Sequence, residues 1–322
     1  MIISRTPVRV SFAGGGSDLK EYYLKYGGAV VSVTINKYIF LTMHPFFYED
    51  RYFLKYSKSE RIDKVDQIEH PIIKAVFKEF GIKGVDFSSS ADIPSGTGLG
   101  SSSSFTAGLI HLCNAYTGKY MNKKDMAEFA CKIEIEKLGE PIGKQDQYAA
   151  AIGGLNYIQF NDNDTVDVES IVSDNNIRKK LNDRLLIFYV GGTRKANSIL
   201  TEQRANIIDG KRLDNLHKMV GLAKDLKIEL QKGNIDSMGD ILDAGWQYKR
   251  ELATDLTNKE IDEYYSLAMS GGASGGKLLG AGGNGFLLFY VKPENKEKLR
   301  NSLKNLLELK YEFDDMGTTI IY

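Results

Sequence analysis

Residues 94 to 105 read Pro-Ser-Gly-Thr-Gly-Leu-Gly-Ser-Ser-Ser-Ser-Phe, which sets Gly96, Gly98 and Gly100 on alternate positions directly ahead of an apolar helical pattern. No other feature of the 322-residue chain restricts its fold as tightly. Glycines let the backbone turn its N–H groups inward, and the first turn of the helix behind them adds partial positive charge. Such a segment, entered at Pro94, is an anion cradle in which Ser101, Ser102 and Ser103 supply hydroxyls. It is not a Walker A loop, because the G-x-x-x-x-G-K-[ST] spacing and its lysine are absent. The apolar run FTAGLIHLCNAY that follows argues against a merely flexible Gly/Ser turn.

The 32 glycines concentrate in three clusters, at 14 to 16, 96 to 100 and 271 to 285. In the first, Arg9-Val-Ser-Phe-Ala-Gly-Gly-Gly-Ser-Asp18, a strand runs into a triple glycine and then a helix. Gly15 and Gly16 let a ligand approach the backbone, and Asp18 is placed either to accept sugar hydroxyls or to cap the helix. In Gly143-Lys-Gln-Asp-Gln-Tyr148 an aspartate, Asp146, stands at a helix start, with Glu134 twelve residues upstream. A buried aspartate there can take a hydroxyl proton, and a second carboxylate can hold Mg²⁺ between phosphates; the competing reading of Asp146 is a simple helix cap. Lys144, Gln145 and Gln147 make a polar turn, and Lys144, Gln147 and Tyr148 are expected to face the substrate. The third cluster, Gly280-Ala-Gly-Gly-Asn-Gly285, matches G-x-G-x-x-G, but the apolar strand FLLFYV follows it where a dinucleotide fingerprint needs a helix. A nicotinamide cofactor is therefore rejected.

The chain is long enough for two domains, each with its own core. Its 42 Lys plus Arg balance 42 Asp plus Glu, so no bulk field attracts nucleic acid or an anionic membrane. Cys113 and Cys131 lack metal or disulfide spacing, and no stretch approaches the ~18 apolar residues of a membrane span, so a soluble protein in a reducing cytoplasm is expected. Strands are read at 7–13, 30–44, 84–91 and 155–160, and helices at 17–27, 101–116, 123–138 and 144–152. The polar stretch 161–184 marks a boundary near 180, dividing the chain into 1–180 and 181–322. Beyond it come the strand RLLIFYVGG, helical patterns over 195–270, FLLFYV, a helical stretch and TTIIY. The class is α+β, with two layers in each half.

Taken in order, these motifs resemble those of the GHMP kinase superfamily over essentially the whole chain. The 94–105 segment is similar to the family's phosphate loop, and KLLGAGGNGFLLFY, residues 277–290, to its third motif. The resemblance implies an N-terminal domain like ribosomal protein S5 domain 2, a ferredoxin-like C-terminal domain, and an active site between them that uses ATP and Mg²⁺. It puts Asp146 on the catalytic aspartate, Arg9 on the basic residue beside it, Glu134 on the magnesium glutamate, and Ser102 on the loop serine that also ligates the metal. Gly15 and Gly16 stand where galactokinases carry Glu-His, whereas the sugar-binding aspartate is kept as Asp18. FAGGGSD, GKQDQYAAAIGG and GAGGNGFLLF, which include Gly282 and Gly283, are similar to the heptose kinase branch. That branch implies phosphorylation of the anomeric hydroxyl of D-glycero-D-manno-heptose 7-phosphate to the 1,7-bisphosphate, on the route to activated heptose for surface glycans. A phosphorylated substrate calls for a second anion site, expected in Gly191-Gly-Thr-Arg-Lys-Ala196 with Arg194 as its cation. Kinases of an unphosphorylated sugar such as fucose, a silent sugar or nucleotide sensor and a GHMP-fold decarboxylase are the competing readings, and a homodimer is left open.

Overall fold

The structure is a computed structural model that describes all of the chain except residues 49, 172–173 and 193–195. The first strand, β1 (Ile2–Ala13), is followed by α1 (Lys20–Tyr26) and by the 18-residue β2 (Gly28–Pro45). A hairpin of β3 (Tyr52–Lys55) and β4 (Ser59–Ile62) leads through α2 (Pro71–Phe80) to β5 (Val85–Ala91). Then come α3 (Ser101–Tyr116), α4 (Lys123–Cys131), α5 (Gln145–Ile152), β6 (Leu155–Phe160) and β7 (Val166–Ser170). The rest of the chain supplies α6 (Asn175–Arg184), β8 (Leu185–Gly191), α7 (Ala196–Ile208), α8 (Leu213–Gln231), α9 (Met238–Arg250) and α10 (Lys259–Ser270). It ends in β9 (Ala273–Leu278), β10 (Gly285–Val291), α11 (Lys296–Ser302), β11 (Leu307–Leu309), β12 (Phe313–Asp314) and β13 (Thr319–Ile320).

Two sheets result. The larger runs β13-β1-β2-β5-β3-β4, with β12 and β6 also on β2 and β7 on β6; the smaller runs β11-β8-β10-β9. Residues 166–170, inside the polar stretch read as a boundary, thus extend the first sheet, and the chain's last two strands return to it. Alternation along β1 divides the layers. Val8, Val10 and Phe12 enter a core with Ala223 and Leu226 of α8 and Leu288 and Tyr290 of β10, while Leu41 and Met43 of β2 meet α2, α3, α4 and α5 on the opposite face. On the far side of the smaller sheet, Phe188, Leu287 and Phe289 pack with Trp246, Ile261 and Leu299. The two sheets and the helices packed on them give mixed α and β content.

The glycine-rich β9 has no strand signature in its sequence, ASGGKL. It is a strand through its pairing with β10, and its glycines let α9 lie directly on it: a Cβ at Gly275 would stand 1.9 Å from the Gly239 carbonyl. With β10 it makes a hairpin around the 280–285 glycines, so a strand does precede that cluster, and a strand rather than a helix follows.

Candidate active site

Residues of opposite parity to the β1 core face build the site. Arg9 and Ser11 share that face and point at the first turn of α5. Arg9, 5 % exposed, donates from Nε to Asp146 Oδ1 and from Nη2 to Oδ2, each at 2.7 Å, and from Nη1 to the Gly98 carbonyl at 2.6 Å. Ser11 donates to Gln145 Oε1 at 3.0 Å, and Gln145 Nε2 donates to Asp146 Oδ1 at 3.2 Å. Asp146 therefore caps nothing; it is held flat by a forked cation and remains 26 % exposed at the cleft.

The phosphate loop connects β5 to α3. Gly100, at φ 76°, occupies the N-cap position of α3, where a Cβ would come 3.1 Å from Asp146 Oδ2. Gly98, at φ 86°, lies so near the third motif that a Cβ would meet the Leu279 carbonyl at 2.5 Å. Only glycine lets the two glycine-rich turns touch.

Glu134 sits in a π-helical stretch, Lys132–Lys137, that continues α4. π-turns are uncommon and recur at functional sites, and this one turns Glu134 inward. The side chain is 1 % exposed and receives four donors. Thr106 Oγ1 (2.9 Å) and Ser102 Oγ (3.3 Å) reach Oε1, and Ser103 Oγ (2.8 Å) and Gln147 Nε2 (2.7 Å) reach Oε2. Burial pushes this carboxyl up to about 7, against the pull of the Ser103, Thr106 and Gln147 hydrogen bonds.

Asp18 closes the other end. Its Oδ1 accepts the Gly16 N–H at 3.0 Å and its Oδ2 the Gln145 N–H at 3.2 Å. Leu19, not Asp18, is the N-cap residue of α1, so the carboxylate ties the triple-glycine turn to α5 instead of capping a helix. Burial, followed by the neighbouring Asp146, raises it above the usual aspartate range.

These groups line one cleft of about 380 Å³, a size suited to a small ligand. Arg9, Asp18, Gly15, Gly16, Gly96, Gly98, Gly100, Ser101, Ser102, Ser103, Glu134, Asp146 and Gly282 all reach it. Several expected residues do not. Lys144 is turned away and pairs with Asp164 at 2.5 Å; Gln147 is spent on Glu134; Tyr148 is 2 % exposed in the core. The polar turn was read from composition, whereas helical geometry sends only Gln145 and Asp146 to the cleft. Pro94 accepts the Thr97 hydroxyl and Gly283 donates to the Leu256 carbonyl, both outside the lining. Arg194 and its neighbours 193 and 195 lie outside the described residues.

The sequence reading missed Ser11, Gln203 and Lys249, and named Gln145 only as part of the polar turn. Ser11 was legible as the residue two beyond Arg9 on the same strand face. Lys249 had a signal too: it continues the buried stripe of α9 after Leu242 and Trp246, at helical spacing. Its ammonium donates to the Gly280 carbonyl in the cleft wall. Gln203 of α7 is 4 % exposed, and its Nε2 has no hydrogen-bond partner among the described residues.

A cleft of small-ligand size, a glycine-rich anion cradle and an Arg-supported carboxylate facing it define a phosphotransferase. The profile described as GHMP kinases N terminal domain matches residues 67–154, and that described as GHMP kinases C terminal matches 226–309. A D-glycero-alpha-D-manno-heptose 7-phosphate kinase of Campylobacter jejuni is 32 % identical over 318 residues, covering 94 % of this chain and 93 % of that one. A bifunctional fucokinase/GDP-fucose pyrophosphorylase of Arabidopsis thaliana is 26 % identical, over 96 % of this chain and 31 % of its own. The crystal structure of a D-glycero-D-manno-heptose 1-phosphate kinase from Bacteroides thetaiotaomicron superposes with a TM-score of 0.82 at 27 % identity, over 100 % of this chain and 99 % of that one. The chain belongs to the GHMP kinases. Within that family it is an ATP-dependent sugar kinase. Among the described residues, no helix is long and apolar enough to cross a membrane.

Proposed function

We propose that this kinase transfers the γ-phosphoryl group of ATP to the anomeric hydroxyl of D-glycero-D-manno-heptose 7-phosphate, forming the 1,7-bisphosphate. The observation that carries the reading is the fork from Arg9 to Asp146, set between the phosphate loop and the Asp18 turn. The anomeric hydroxyl is more acidic than an ordinary alcohol, which suits a carboxylate base. Its oxygen attacks the γ-phosphorus as its proton passes to Asp146, and ADP leaves with the bridging oxygen. N–H groups of the 96–100 turn hold the phosphates, and Asp18, with acceptor capacity left on both oxygens, orients the sugar. Gly15 and Gly16 line the cleft and put no side chain into it, which favours a sugar larger than a hexose. The similarity to two heptose kinases supports this substrate.

Ser102 and Glu134 offer a hydroxyl and a carboxylate, hard oxygens that fit Mg²⁺, an ion that keeps several waters and takes its other ligands from phosphates. Bound there, the ion would neutralise charge on the nucleotide phosphates. Offered a panel of sugars and sugar phosphates with ATP and Mg²⁺, the enzyme should turn over the 7-phosphate of D-glycero-D-manno-heptose best. Phosphorus NMR of the product should show a new anomeric phosphate. Preference for free fucose, or a non-anomeric product, would overturn the substrate assignment.

A further inference from the structure

Lys249 is the one cation that the C-terminal half sends into the described cleft wall. It is 6 % exposed. Among the described residues its ammonium bonds only the Gly280 carbonyl and makes no ion pair. An ammonium has three donors, so two N–H bonds remain unspent. Burial, then Arg9, pushes Lys249 down to about 8, against the attraction of Asp18 and Asp146. Neither carboxylate answers it directly, because Asp146 is committed to Arg9 and Asp18 to backbone N–H groups. Burying a charge without a paired counter-charge is costly. A cation in this position is completed by an anion that arrives with the ligand.

Position identifies that anion. Gly280 lies on the phosphate loop, where its Cβ would stand 2.3 Å from Gly98 Cα, and the Gly98 carbonyl accepts the third donor of Arg9. Lys249 and Arg9 therefore flank one point, beside Asp146, where an acceptor hydroxyl meets the end of the nucleotide. We propose that Lys249 binds the equatorial oxygens of the γ-phosphoryl group as it passes from ATP to the sugar, a second cation opposite Arg9. This rests on the kinase reading of the cleft and not on which sugar is the acceptor. In the step, the acceptor O–P bond forms and the bond from the β,γ-bridging oxygen to the γ-phosphorus breaks. The electron pair leaves with ADP, the hydroxyl proton goes to Asp146, and Lys249 keeps its own.

Lys249→Met and Lys249→Arg, assayed with the best acceptor and with one phosphorylated and one unphosphorylated sugar, test the proposal. Lys249→Met should lose ~10²- to 10³-fold in kcat on every acceptor, as for other preorganised charges lost from a transition state. Sugar KM and the Kd of a non-hydrolysable ATP analogue should move little, and Lys249→Arg should recover much of the rate. Unchanged kcat, or a loss confined to the KM of phosphorylated sugars, overturns it; the latter would give Lys249 to the sugar's own phosphate. A different preferred acceptor would sink only the heptose assignment.

Should Lys249→Met fail to fold, the pH profile decides. The parent's kcat/KM should fall as pH rises through about 8, and Lys249→Arg should lack that limb. The other charged groups facing Lys249 are Arg9, Asp18 and Asp146; a carboxyl that loses its proton as pH rises gives a limb of the opposite sign. Lys277, behind β1 on the Phe12 carbonyl, is common to both proteins. The same high-pH fall in parent and Lys249→Arg would overturn the proposal.

Discussion

Arg9 and Asp146 meet through two parallel hydrogen bonds of 2.7 Å, one to each carboxylate oxygen, across 137 residues of sequence. The fork fixes the plane in which a proton can be accepted and, with the Gln145 amide on Oδ1, leaves Oδ2 the oxygen with a free lone pair toward the cleft. Asp146→Asn would turn an amide donor toward a guanidinium that only donates. The expected result is a loss of ~10²-fold or more in kcat with affinity for an ATP analogue largely kept. Steady-state kinetics with calorimetric nucleotide binding check it, and unimpaired turnover would remove Asp146 from the mechanism.

Glu134→Ala takes away the carboxylate that four donors orient and should raise the Mg²⁺ concentration needed for half-maximal rate. Ser102→Ala should act in the same direction. Magnesium titrations that overlay the parent's in both variants would remove these two residues from a metal site.

Asp18→Ala should raise the sugar KM and lower kcat, since hydroxyl contacts position as well as bind, while ATP binding hardly changes. Because Asp18 also holds the Gly16 and Gln145 N–H groups, a lower melting temperature should accompany the kinetic loss. Normal sugar kinetics with only the thermal loss would make Asp18 a purely structural tie.

Lys249→Met should melt higher than the parent at pH 7 without nucleotide. The lysine's folded value is depressed to about 8 from 10.5, so its charge opposes folding below about 8, and the penalty fades as pH rises from there toward 10.5. The advantage should therefore shrink in alkaline buffer. A variant less stable than the parent at pH 7 would mean that the Gly280 hydrogen bond outweighs desolvation.

Gly98→Ala places a Cβ 2.5 Å from the Leu279 carbonyl at φ 86°, where both the clash and the backbone oppose it. A strained position of this kind costs about 1 to 3 kcal/mol. Reduced thermal stability and weaker ATP binding are expected together, measured by melting and by nucleotide titration.

Much of this was present in local sequence. The helix behind the phosphate loop runs from Ser101 to Tyr116 as the pattern implies, because alternate glycines and an apolar helix constrain the backbone within a dozen residues. The strands RLLIFYV and FLLFYV were equally plain, and the order of three glycine motifs was enough to point to the family.

Partner choice was not local. Lys144 and Asp146 are two residues apart, yet one side chain goes to Asp164 in the β6–β7 turn and the other to Arg9 on β1. Glu134 owes its inward turn to a π-helical stretch and its four donors to α3 and α5. β9 is a strand through its pairing with β10, its glycines let α9 lie against it, and that packing carries Lys249 to the cleft. The sequence by itself determined where the backbone must turn and which segments are apolar, since those depend on neighbouring residues. Tertiary structure decided which charges meet, because a buried ion's partner is set by the packing of elements far apart in the chain.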